Sequence, residues 1–298
     1  MVYLYVRCNF VPMNKITTYY ITFGTLLAIL IFAGCTDKSH SIKMKGSDTE
    51  VNLAVNLAEK FTEIDPEFSI AISGGGSGLG ITSLLNGQAD IANSSRPLSE
   101  EEVEQFKSKN IELKTVVFAE DATAVIVHKD LPLEEIDLET LGKVLDGTIE
   151  DWNELSIVNI PINIYGRQSS SGTYSFMKKK LKIEFAPKAK EMTGNAQIIE
   201  GVKADKSGIG YVGAGYLSPD SENKQGVKVL KIKMTAQDTA YSPVDPYAIN
   251  NNLYYFQRPL YQFILASSWH KVKPFIDFEL GKLGKEIIRD HGYYIKEN

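Results

Sequence analysis

The feature that most constrains this chain is a repeated pattern: a short apolar strand, a turn of glycine and hydroxyl residues, then a helix. Four turns of this kind stand out. Gly46-Ser47-Asp48-Thr49-Glu50 follows a strand over 42–45, and Gly74-Gly75-Gly76-Ser77-Gly78 follows one over 68–73. Asn93-Ser94-Ser95-Arg96 follows a strand over 89–92, and Arg167-Gln168-Ser169-Ser170-Ser171-Gly172-Thr173 follows one over 160–165. Strands alternating with helices in this way predict an α/β protein.

The helical signals agree. Residues 48–64 place Val51, Ala54, Val55, Ala58, Phe61 and Ile64 on one face, and Asp65-Pro66 ends the run. Shorter helices are expected over 81–85, 99–106, 138–145 and 174–181, with a final amphipathic helix over 275–289. Residues 209–212 and 227–232 read as strands, and 115–127 hold two apolar runs interrupted by Ala119-Glu120-Asp121. The polar stretch 218–225 reads as a surface loop.

A helix N-terminus presents unpaired N–H groups and about half a positive charge. Serine and threonine add donors, and glycine lets backbone approach a ligand closely. Any one of these turns is also explained by ordinary helix capping. Ser47 and Glu50 have the spacing of a capping box. Four such turns, two of them with an arginine, point to a shared site for a small oxyanion.

Other chemistries fit poorly. The net charge of −5 argues against nucleic acid, although local dipoles can hold a single small anion whatever the global sign. The glycine-rich turn has neither a P-loop lysine nor G-x-G-x-x-G spacing, and no segment reads G-x-S-x-G. His40, His128, His270 and His291 lie away from the serine-rich loops in sequence and form no H-x-x-x-H pair. No cofactor, metal or catalytic residue is expected.

The two cysteines, Cys8 and Cys35, both fall in the first 35 residues. Residues 21–33 are almost continuously apolar and lead into Gly34-Cys35. That length suits a signal-peptide core better than a membrane span, and small residues before cysteine resemble a bacterial lipobox. The expectation is a signal peptide over 1–34, with a true start at Met13, lipidation of Cys35 and a polar tether over 35–41. An uncleaved membrane anchor is the alternative. Either way, the rest of the chain lies outside the cytoplasm, on the periplasmic or cell-surface side of a membrane.

In order, GSDT, ISGGGSG, ADIANSSRPLS, IEDWNEL, GRQSSSGTYSFM, SGIGYVGAGYL, QRPLY and HGYYI resemble the phosphate-binding proteins of bacterial ABC transporters, the PstS family. The most specific element is R-x-x-x-S-G-T, at Arg167, Ser171, Gly172 and Thr173. The resemblance implies a type II periplasmic-binding-protein fold, with two α/β lobes joined by crossover strands. Lobe one would span 41–123 plus 255–298, and lobe two 124–254. It implies a monomer that binds inorganic phosphate through Ser47, Thr49, Ser77, Ser95, Arg96, Arg167, Ser171, Gly172 and Thr173, and hands it to ABC permease subunits.

The best-known members carry an aspartate where this chain has Ser95, and it accepts the proton of hydrogen phosphate. Asp121 is the candidate substitute acceptor, with Asp48 the alternative and a structural hinge bond the other reading of Asp121. The Ser95 substitution also invites a binding or sensor protein for another oxyanion such as sulfate. An extracellular phosphoesterase is the remaining alternative.

Overall fold

The computed structural model describes residues 40–217 and 225–295. The expected signal peptide, Met13 start, Cys35 and nearly all of the tether lie outside these residues, as does most of the 218–225 loop.

β1 (Ser41–Gly46) alternates outward residues with Ile42 and Met44, which are fully buried. After a single 3₁₀ turn (Asp48–Glu50), α1 (Val51–Ile64) buries Leu53, Ala54, Leu57, Ala58 and Phe61. This face is rotated from the expected one and leaves Ile64 57% exposed. Two stripes of period 3.6 compete on this helix, and the one carrying the two leucines buries more apolar surface.

β2 (Ser69–Ser73), α2 (Ser77–Leu85), β3 (Ile91–Ser94) and α3 (Glu100–Ser108) continue the alternation. The capping box expected at Ser47 and Glu50 does not form, because Ser47 caps no helix N–H with its side chain. Ser99 and Glu102 form one at the start of α3 instead.

β4 (Leu113–His128) is one long strand where the sequence suggested two runs. β5 (Glu135–Asp137) and α4 (Leu138–Leu145) follow, then β6 (Asn163–Arg167), α5 (Gly172–Leu181), β7 (Lys190–Met192), α6 (Asn195–Ala204) and β8 (Gly208–Gly213). The strand expected over 227–232 is two, β9 (Val227–Val229) and β10 (Lys231–Lys233), which pair with β4 and β5 respectively. α7 (Pro246–Asn250) and β11 (Gln257–Leu265) come next. The final helix is broken at Gly281 into α8 (Trp269–Leu280) and α9 (Lys282–Asp290).

The main sheet runs β2-β1-β3-β11-β4-β8-β6-β7. β1 lies parallel to β2 and β3, and β6 lies parallel to β7 and β8. Among the described residues, the two parallel groups are joined through antiparallel β11 and β4. Residues 113–122 of β4 pair with β11 and residues 123–127 pair with β8, so this strand crosses from one half to the other.

The interior divides at the same place. Phe118, Ala119, Leu260 and Ile264 pack with Ile42, Leu57 and Phe275, while Ala122, Val125 and Phe256 pack with Trp152, Ile164 and Tyr211. From His40 onward the chain is nonetheless one compact unit. No helix among the described residues is long and apolar enough to cross a membrane.

Candidate oxyanion site

The C-terminal ends of β1, β2, β3 and β6 deliver the four turns to the crevice beside the crossover strands. That is where open α/β sheets place ligands. β1 ends at Gly46, whose φ of 138° and closeness to β3 exclude a side chain, since a Cβ there would lie 2.1 Å from the Asn93 carbonyl oxygen. Free of that obstacle, the Ser47 N–H donates to Asn93 O at 2.9 Å and the turn is fixed.

Ser47, Thr49, Ser77, Ser95, Arg167, Ser171 and Thr173 are all buried, none more than 2% exposed. The Ser77 Oγ accepts the Ser95 N–H at 3.1 Å and lies 3.5 Å from the Ser95 Oγ. Across the cleft, Ser171 caps α5 and its Oγ accepts the Thr173 and Tyr174 N–H groups. With those lone pairs engaged, its own hydrogen is left to donate. Gly172 stands against Ser77 and Ser95, where a Cβ would come within 2.3 and 2.5 Å of their hydroxyl oxygens. The Thr49 and Thr173 hydroxyls meet at 3.1 Å.

Arg167 ends β6. One nitrogen, Nη2, donates to Thr193 O at 3.0 Å, and Nη1 stands 3.6 Å from Asp48 Oδ2. Among the described residues, Nε and Nη1 have no hydrogen-bond partner, although Arg167 is only 2% exposed. Burial lowers its pKa, and the Asp48 carboxylate works against that shift. Asp48 Oδ2 also accepts the Asn195 N–H and side-chain amide at 2.7 and 2.8 Å, tying the first turn to the start of α6.

Asp121, on β4, is paired with Arg258 at 2.8 Å. Burial pushes the Asp121 carboxyl up, against the pull of that guanidinium. Arg96 is turned to a different task. It donates both terminal nitrogens to Glu102 at 2.7 Å each, fastening the third turn to α3. A cavity of about 610 Å³ lined by Glu120, Ile249, Arg289 and Tyr293 shares no residue with this cluster. Among the described residues, no group of three His, Cys, Asp or Glu side chains could hold a metal ion.

Two residues of the cluster escaped the sequence reading. Arg258 carried a readable signal, the one charged residue, beside a proline, in the strand QRPLYQFIL. Asn195 carried none, because α6 begins at an unremarkable Gly-Asn pair.

Two α/β halves joined by crossover strands, with helix-start hydroxyls from both halves meeting in one crevice, make this a type II periplasmic binding protein. A PBP superfamily domain model matches residues 33–279, and the chain belongs to that family.

Its relatives are informative. The phosphate-binding protein PstS of Pseudomonas aeruginosa is 27% identical over 278 residues, covering 86% of this chain and 83% of that protein. The PstS of Borreliella burgdorferi is 29% identical over 269 residues, covering 86% and 90%. Among solved structures, one from Clostridium perfringens, assigned to phosphate ABC transport and holding bound phosphate, matches with a TM-score of 0.75. It shares 25% identity and covers 86% of this chain and all of that one. An ABC-type phosphate transport receptor from Vibrio cholerae matches with a TM-score of 0.66 and 26% identity, over 86% of this chain and 100% of that one.

Proposed function

We propose that this protein captures inorganic phosphate outside the cytoplasm in the cleft between its lobes and delivers it to an ABC permease. The observation that carries this reading is the buried Arg167 guanidinium, with two nitrogens that make no hydrogen bond among the described residues, set among buried hydroxyls from four turns. A desolvated charge of that kind is costly unless an anion completes it. The relatives that bind phosphate share the fold along most of the chain.

Arg167 supplies the charge. Thr49, Ser77, Ser95, Ser171 and Thr173 supply hydroxyl donors, Ser47 and Gly172 shape the walls, and Arg96 steadies the third turn through its pairing with Glu102. Asp121, or in its place Asp48, accepts the proton of hydrogen phosphate and so disfavours sulfate, which has no proton to give. Lobes spanning 41–123 plus 255–298 and 124–254 close on the ligand by bending where β4 passes between them and where the chain returns just before β11, and ligand shifts the open–closed equilibrium.

A lipid on Cys35 holds the monomer at the membrane after cleavage of the signal peptide. The relatives named above are binding and transport proteins, which supports binding rather than catalysis as the reading. Calorimetry near neutral pH with phosphate, arsenate and sulfate tests it. Heat with phosphate and arsenate supports the proposal, and binding of sulfate alone overturns it. Palmitate labelling lost on Cys35→Ala tests the anchor, and labelling that persists in that variant contradicts it.

A further inference from the structure

Arg258 lies on crossover strand β11, opposite Asp121 on β4. Both side chains are buried, at 2% and 0% exposure. Nε and Nη2 donate to Asp121 Oδ2 at 3.1 and 2.8 Å. The same Nη2 reaches Thr49 Oγ1 at 3.3 Å and Thr173 Oγ1 at 3.0 Å. Phe176, on α5, lies under the guanidinium with its ring centre 5.1 Å away. One nitrogen on the crossover therefore touches a hydroxyl from the first turn and a hydroxyl from the fourth.

The chemistry of these groups limits where the protons can go. A guanidinium only donates, and Nη2 shares its two hydrogens among Asp121 and the two threonines, so neither threonine can donate to it and each oxygen within its reach serves as acceptor. Each hydroxyl owns one hydrogen. Across the 3.1 Å gap between Thr49 and Thr173, at most one hydrogen can be used. At least one O–H is left over, and it must point away from Arg258. The guanidinium thus makes this pair of hydroxyls donors toward the crevice and polarises them, as charged partners do.

We propose that Arg258 is a positioning residue for anion binding. It acts through the Thr49 and Thr173 hydroxyls, sets them as donors, and ties their meeting across the cleft to the crossover strands. The wall they form accepts ionised oxygens and penalises a ligand O–H, so the protonated oxygen of hydrogen phosphate is steered off these hydroxyls and toward a carboxylate acceptor. The proposal rests on the oxyanion reading of the cleft.

The test is a mutant cycle read by calorimetry with inorganic phosphate. Arg258→Met alone strands the buried Asp121 carboxylate, so the charge pair is removed together as Arg258→Met with Asp121→Asn. Thr173→Val is then measured in the wild type and in the paired variant, with Thr173→Ser as the conservative control. In the wild type, Thr173→Val is expected to weaken binding about 10- to 100-fold and Thr173→Ser to restore most of it. In the paired variant, Thr173→Val is expected to cost no more than about threefold, because the hydroxyl is no longer oriented, whereas in Asp121→Asn alone, which keeps Arg258, it is expected to cost about as much as in the wild type. Equal losses in both backgrounds overturn the proposal, since Arg258 would then act independently of that hydroxyl. Should the wild type bind no oxyanion at all, the failure lies with the function proposed for the cleft and not with Arg258.

Discussion

Arg167 and Arg258 are both buried arginines beside an aspartate, yet they are held in opposite ways. Arg258 is engaged through Nε and Nη2, with Asp121 at 2.8 Å and two threonine hydroxyls behind it. Arg167 is held by a single bond to Thr193 O, with its aspartate 3.6 Å away and two nitrogens unmatched. One arginine belongs to the frame and the other is kept available. Removing a frame charge should cost stability first, whereas removing the available charge should cost affinity first.

The largest expected effect is on affinity. Arg167→Met should weaken phosphate binding about 100- to 1,000-fold by calorimetry while leaving the melting temperature nearly unchanged. A comparable loss of stability would erase the distinction between the two arginines. Arg258→Met should do the reverse, uncovering Asp121 at a cost of about 3–5 kcal/mol, or on the order of 10 °C in Tm. Adding Asp121→Asn should recover most of that loss, because no charge is then left uncompensated.

The aspartates sharpen the comparison at smaller magnitude. If Asp121 accepts the ligand proton, Asp121→Asn should narrow the preference for phosphate over sulfate by about tenfold, and Asp48→Asn should not. The opposite result would move the acceptor role to Asp48 and to the available arginine's side of the cleft.

Much of this was legible in the sequence. The four turns, the order of strands and helices, and the hydroxyls at 49, 77, 95, 171 and 173 follow from local patterns of apolar residues, glycine and serine. What escaped depends on distant partners. Arg96 reads as an anion ligand until Glu102, six residues on, is seen to take both its nitrogens. Ser47 and Glu50 have capping-box spacing, but the chain enters a 3₁₀ turn there and Glu50 is buried with both carboxyl oxygens unmatched. Arg258 reaches Thr49 across 209 residues and Thr173 across 85, separations that no local window can join.

The smallest expected effect lies in the frame of the first half. Glu279, fully buried against Gln262, has its pKa pushed up by burial from 4.5 to about 8, and the Gln262 bond only partly offsets this. The folded protein keeps this proton while the unfolded chain releases it, so this group erodes stability as pH rises from about 4.5 to about 8 and no further above that. Glu279→Gln should therefore raise Tm by a few degrees at pH 8 and have little effect at pH 4.5. A constant difference across that range would show that Glu279 does not hold the proton.

The central claim is that the cleft is an oxyanion site selective for phosphate. Calorimetric titration of the wild-type protein with phosphate at neutral pH, repeated in excess sulfate, tests it most directly. Saturable one-to-one binding that sulfate barely weakens is the expected result. Binding abolished by sulfate, or no heat with phosphate while sulfate binds, would contradict it.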